Sequence, residues 1–280
     1  MKIKTIFFAI TLVLASFLVP THTADAQSEG SVLFVSPHRV DIGPEDRVTR
    51  LTVANKSDIK RRYNIQIVDQ VMDETGATRR LEGGFEYSAK KMLKFVPKRF
   101  TLEPGQRQIV RVQVRRPKTL TDGDYHSHLL FREVPLKTEN RPGVKAGDGK
   151  VSFEIKTLYG IAVPVVLKHG HVQSNMTVTD LSFGKSEGGK DIIRATFNRD
   201  GNGEASTLLT ITHKKGDQVT DIVPSQWVRM YREVDQIVKD IPLALPEGYN
   251  LSGGTVQATL TINPDKTDET VVSTKEVAGP

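Results

Sequence analysis

His126 and His128, in the segment Tyr125-His-Ser-His, are the residues whose type and spacing come closest to chemistry. On an extended segment, positions i and i+2 share a face, so two imidazoles there can ligate one metal ion. A third ligand is not evident nearby, and no metal site is expected. His169 and His171 repeat the spacing at a turn and read as exposed linker histidines. A nucleophile elbow, a phosphate-cradling glycine loop and a zinc-protease helix are all missing, so neither an enzyme nor a cofactor is expected. The pairs Gly83-Gly84, Gly188-Gly189 and Gly253-Gly254 suit hairpin turns better than ligand loops. Asn55-Lys-Ser, Asn175-Met-Thr and Asn250-Leu-Ser match a glycosylation pattern too short to carry a role. Trp227 and Tyr231 read as core rather than as a ligand platform.

The elements that position these residues are strands. Val110, Val112 and Val114 alternate with Arg111, Gln113 and Arg115, the period of a half-buried strand. Glu103-Pro104-Gly105-Gln106 supplies a tight turn before it, and Pro97 limits the pairing of the segment upstream. Strand-like segments recur at Ser31 to Ile42, Arg47 to Asn55, Arg62 to Gln70, Lys91 to Val96, Gln108 to Arg115, Tyr125 to Val134 and Val151 to Lys168. That cadence fits an immunoglobulin-like sandwich. The segment from Thr138 to Lys150, with Pro142 and Gly143, reads as a mobile loop. Past Lys168 the rhythm repeats at Met176 to Phe183, Asp191 to Phe197, Thr207 to His213, Trp227 to Tyr231, Gln236 to Leu243 and Thr255 to Ile262. The polar stretch from Asn263 to Pro280 reads as a frayed tail.

The first residues, Met1-Lys-Ile-Lys followed by an apolar run from Ile6 to Val19 and by Ala24-Asp-Ala26, have the layout of a secretory signal peptide. The run is short of the roughly 20 residues a membrane span needs. The expected organisation is a cleaved signal peptide over 1–26, a first sandwich over 27–168, a second over 169–265 and a flexible tail over 266–280. The fold class is all-β, two immunoglobulin-like β-sandwiches in tandem. No later segment is apolar enough to span a membrane, so the expected product is soluble and exported, with no stable membrane insertion. The chain has no cysteine, so the cores must hold without disulfides. From Gln27 to Lys168 there are 26 Lys and Arg against 17 Asp and Glu; from His169 onward there are 11 against 15. The basic half lacks the interleaved aromatics of a stacking platform, so nucleic acid is not an expected partner. Solvated strand faces are the favoured explanation of its charge, with a cation-lined groove as the alternative.

Several fragments of the first half fall in a familiar order. They are Ser36-Pro-His-Arg-Val-Asp-Ile42, Leu51-Thr-Val-Ala-Asn55, Tyr63-Asn-Ile-Gln66, Phe95-Val-Pro-Lys-Arg-Phe-Thr-Leu-Glu-Pro-Gly-Gln106 and Glu133-Val-Pro135. Together they resemble the PapD-like periplasmic pilus chaperones over most of Ser31 to Leu167. The resemblance implies a chaperone of the periplasm that binds pilin or fimbrial subunits by donor-strand complementation, together with an outer-membrane usher in some systems. The lender's last first-domain strand would fill the subunit's incomplete sandwich. In this chain that strand is Val151-Ser-Phe-Glu-Ile-Lys-Thr-Leu-Tyr159 and onward, with Val151, Phe153 and Ile155 on one face. An edge strand packed on its own core has the same periodicity.

The resemblance also implies a cleft Arg and a cleft Lys that hold the subunit's terminal carboxylate. Arg39 matches the Arg and Lys156 is the candidate for the Lys. Here the chain departs from the family pattern, because Thr157-Leu-Tyr-Gly-Ile-Ala-Val-Pro164 follows Lys156, and alignment on Pro164 puts Tyr159 at that position. The alternative from another class is a secreted adhesion or carbohydrate-binding protein, which calls for exposed aromatics clustered on one face. The aromatic fraction of 6% argues mildly against it.

Overall fold

The computed structural model describes residues 33–136, 158–263 and 270–280. The expected signal peptide, Val151, Phe153, Ile155 and Lys156 lie outside them. Described residues from 33 onward build two β-sandwiches in tandem, with a short 3-10 turn at Lys90–Met92 interrupting the strands.

The first sandwich opposes two sheets. One has the order β1 (Leu33–Ser36), β3 (Val48–Asn55), β8 (Arg107–Val114), β6 (Leu93–Val96). The other runs β2 (Val40–Ile42), β10 (Gly160–His169), β9 (Gly123–Val134), β4 (Arg61–Met72), β5 (Thr78–Leu81), with β7 (Arg99–Leu102) also against β4. The alternation that marked β8 holds: Val110, Val112 and Val114 are buried against Leu51, Tyr63, Phe131 and Val165, each contributing roughly 1.5–3 kcal/mol of burial. The segment expected as one strand over Ser31 to Ile42 is two, because Pro37 interrupts the ladder and β2 crosses to the opposite sheet. Pro97 does the same between β6 and β7. The turn at Glu103 to Gln106 therefore joins strands of different sheets rather than a hairpin.

The second sandwich opposes β11 (Ser174–Lys185), β12 (Asp191–Gly201), β15 (Gln236–Pro242) to β14 (Gln218–Met230), β13 (Ala205–Lys215), β16 (Thr255–Ile262), β17 (Thr270–Ala278). Two strands depart from expectation. The polar tail is instead β17, paired with β16 along its length. Its alternation is weak because it is an edge strand, yet Val272 and Val277 pack on the second core. Ser273 Oγ accepts the Val178 N–H at 3.1 Å, beside the register shift in β11. Strand β14 is also longer than the expected Trp227 to Tyr231, and Trp227 is 48% exposed beneath the Arg229 guanidinium rather than core. Tyr231 is buried.

Among the described residues no helix is long and apolar enough to cross a membrane. Truncation after Asn263 is expected to lower unfolding stability by about 2 kcal/mol or more, since β17 covers apolar surface and the β16 edge. Urea titration checks this; an unchanged midpoint would restore the frayed tail.

Candidate functional site

Strand β9 explains where the site lies. Every residue from Gly123 to Leu129 is buried, including Asp124, His126, Ser127 and His128. A strand with one wet face alternates, so unbroken burial means that both faces are covered. Tyr125 and Leu129 face the first core, and on the other side the second sandwich comes down on Asp124, His126 and His128. Met72 and Val166 of the first sandwich belong to the second core, so the joint is apolar as well as charged. Gly123, at φ +136, permits this approach: a Cβ there would stand 2.5 Å from the Asn202 carbonyl oxygen.

Two side-chain bridges cross the joint. Arg39 Nη2 donates to Glu204 Oε2 at 2.8 Å, while its Nε and Nη2 also grip Asp41. His126 Nε2 lies 3.0 Å from Glu233 Oε2, and the imidazole stacks on Tyr231 at 4.1 Å between centroids. Glu233 Oε1 accepts the Met72 N–H. The Glu204 N–H donates to Asp124 Oδ2. Arg232 spreads over the rings of Tyr87 and Tyr125. The loops delivering Glu204 and Glu233 are tied together by Arg199, a buried side chain that donates to the carbonyls of Gly201, Gly203, Arg232 and Val234 and to Asp235.

The charges respond to burial. Desolvation opposes the Arg39 charge, but Asp41 and Glu204 more than offset it and hold the guanidinium firmly protonated. Burial raises Glu204 despite Arg39, and raises Asp124 despite the Glu204 N–H. Burial alone would raise Glu233 too; its hydrogen bond to His126 and the charge there bring it below the usual carboxylate value. His128, buried beside His126, is pushed down to about 4. His126 and His128 both meet Tyr231 across the joint, and His126 also meets Glu233; among the described residues no three His, Cys, Asp or Glu side chains are placed to hold a metal ion.

Arg39 also marks the end of an open edge. β2 runs parallel to β10 and covers only Val165, Val166 and Leu167. Gly160 to Pro164 pair with β9 on one side and, among the described residues, with no strand on the other. Pro164, without an N–H, suits such an edge. Because Val40 stands opposite Val165, Arg39 stands at the level where the cover ends. Arg39 Nη1 donates to nothing among the described residues. Upstream, Leu158 and Tyr159 are exposed, and the Tyr159 carbonyl accepts the Glu133 N–H, continuing the ladder to β9. Of the residues expected at the site, the structure describes Arg39, together with Tyr159 from the alternative alignment. Glu204, Glu233, Tyr231 and Arg199 were not expected there.

No family model and no curated protein matches the chain. Solved structures with a similar arrangement include the CsuC–CsuE chaperone–tip adhesion subunit complex of Acinetobacter baumannii archaic Csu pili, with 10% identity over 86% of this chain and 98% of that one and a TM-score of 0.49. The YadV chaperone has 8% identity over 88% and 99%, with a TM-score of 0.47. The E. coli chaperone DraB has 13% identity over 89% and 95%, with a TM-score of 0.44. At these values none of them assigns a role to a residue of this chain.

The depressed His128 value gives the joint a pH dependence. Its neutral form is favoured in the folded state, so its contribution is complete above the ordinary imidazole value and is lost as pH falls toward about 4. The loss amounts to about 3 kcal/mol. Glu204 and Asp124, both raised, act in the opposite sense over the carboxylate range, so the comparison must be with His128→Leu. Between pH 6.5 and 4, the wild type is expected to lose about 3 kcal/mol more unfolding free energy than the variant. Parallel pH profiles would show that His128 titrates normally.

Proposed function

We propose that this protein is a periplasmic, non-enzymatic chaperone that caps pilus or fimbrial subunits by lending them a strand before assembly. The observation that carries the reading is the edge of β10 from Gly160 to Pro164, which no described strand covers and which ends at Arg39. A strand edge offers a row of backbone donors and acceptors, and a partner sandwich missing one strand offers the matching row. Lending begins upstream, where Val151, Phe153 and Ile155 supply the apolar side chains for the partner's groove.

The position of Arg39 sets a direction. A partner strand whose terminal carboxylate reaches Arg39 must run from the level of Gly160 toward Pro164, and so lies parallel to β10. Arg39 Nη1 takes the carboxylate, a charge that is costly to desolvate unpaired. Lys156 and Tyr159 are the two candidates for the second contact. Glu204 competes for the same guanidinium, so its pairing with Arg39 is the resting arrangement that an incoming carboxylate displaces or shares. The adhesion or carbohydrate-binding alternative gains no support, because the exposed aromatics Phe34, Tyr159 and Trp227 do not share one sheet face.

Co-expression with a pilus subunit and affinity capture from periplasmic extract tests this reading. Arg39→Gln is expected to lower the captured subunit at least tenfold, while Glu204→Gln, which also breaks the bridge but leaves Arg39 with Asp41 as its one acidic partner among the described residues, retains capture or strengthens it (about 1.4 kcal/mol per tenfold). Phe153→Asp is expected to abolish capture with the fold intact. Equal losses in Arg39→Gln and Glu204→Gln would reduce Arg39 to a structural residue of the joint; full capture by Phe153→Asp would reject strand lending.

A further inference from the structure

The outer face of the β1-β3-β8-β6 sheet, away from the joint, is cationic and partly apolar. Its outward strand positions include Arg50, Lys94, Arg107 and Arg111, and no acid. Arg50 stands directly across from Arg111, an opposition of like charges that destabilises a sheet. None of these four cations forms an ion pair among the described residues. Lys56 adds a fifth charge, its ammonium 5.8 Å from the centre of the Phe34 ring. Phe34, Val96 and Ile109 are exposed at 42, 60 and 57%. Phe34 and Val96 lie on the two edge strands, with Ile109 between them.

We propose that this face docks the protein peripherally on an anionic phospholipid surface. The face is a sheet, so its cations and apolar side chains are presented side by side to a flat partner. The apolar side chains at both margins match the headgroup and acyl boundary, while the cations match the phosphates. One spot has headgroup chemistry in detail: a hollow of about 250 Å³ lined by Lys56, Arg107, the hydroxyls of Ser36 and Thr52, and Phe34. It offers two cations and two hydroxyls to a phosphodiester. An acidic polypeptide would satisfy the charges but leave the exposed apolar margins without a role. The Arg50–Arg111 opposition has a natural explanation here, since anionic lipid between the two relieves it.

The test is co-sedimentation of the purified protein with large vesicles, either of equal parts phosphatidylethanolamine and phosphatidylglycerol or of phosphatidylcholine alone. The wild type is expected to partition onto the anionic vesicles, less as salt rises, and to ignore phosphatidylcholine. Each cation removed lowers partition about fivefold, so Arg50→Gln with Arg111→Gln lowers it about 25-fold. The same pair of substitutions is expected to leave the thermal midpoint unchanged or raised. Lys190→Gln with Lys214→Gln, an equal change of net charge on exposed positions of the second sandwich, is expected to leave partition within about twofold of wild type. Absence of binding to anionic vesicles, an equal loss in the second-sandwich pair, a lowered thermal midpoint in the arginine pair, or binding to poly-glutamate in place of vesicles would each overturn the proposal.

Discussion

β2 is three residues long and β10 is ten, and much of the first sandwich is arranged around that mismatch. Backbone N–H and C=O groups demand partners, and exposed strand edges invite pairing with other chains. Proteins commonly blunt such edges with charge, a bulge or a covering loop. Here the edge carries Gly160, Ile161, Ala162, Val163 and Pro164, none of them charged, and the cover begins only at Val165. The neighbouring strand β9 is buried on both faces from Gly123 to Leu129, and its stretch opposite the open edge runs on through half-buried Leu130 to exposed Arg132. The open edge is anchored at its downstream end, where Val163 and Pro164 pair with buried Leu129 and His128 beside the joint.

The joint accounts for that anchoring. The Arg39–Glu204 ion pair, the His126–Glu233 hydrogen bond, a stacked His126–Tyr231 pair and the apolar contacts of Met72 and Val166 join the sandwiches. Buried ion pairs are weak evidence of net stability, because desolvation opposes the attraction. Their effect here is directional: Arg39 is held at the end of the edge with one face of its guanidinium uncommitted. Arg199 keeps the partners in place by binding both loops that carry them. The edge and the cation therefore hold a fixed relation before any partner arrives.

Much of this was legible in the residues. The alternation at Val110, Val112 and Val114 announced β8 because one face is dry and the other wet. Pro37 and Pro97 announced interruptions, but no local pattern says that the chain crosses to the opposite sheet there. His126 and His128 were legible as sharing a face; their burial was not, since Glu233 and Tyr231 come from a distant loop. Arg39 was legible through its local fragment, whereas Glu204, 165 residues later, carries no sequence signal of the contact. Strand β17 has little periodicity to read, because Val272 and Val277 are five residues apart and both reach the core only through the register shift against Leu260 and Thr261. Trp227 was misplaced for a related reason: an aromatic residue reads as core, but its outward position on β14 leaves it to stack with Arg229.

Backbone amide exchange at β10 tests the central claim most directly. On addition of a pilus subunit that lacks one strand of its sandwich, the account predicts that the outward-facing amides from Gly160 to Val163 gain protection, while β1, β3 and β8 exchange as before. Protection that appears elsewhere, with the β10 edge still exchanging freely, would contradict it.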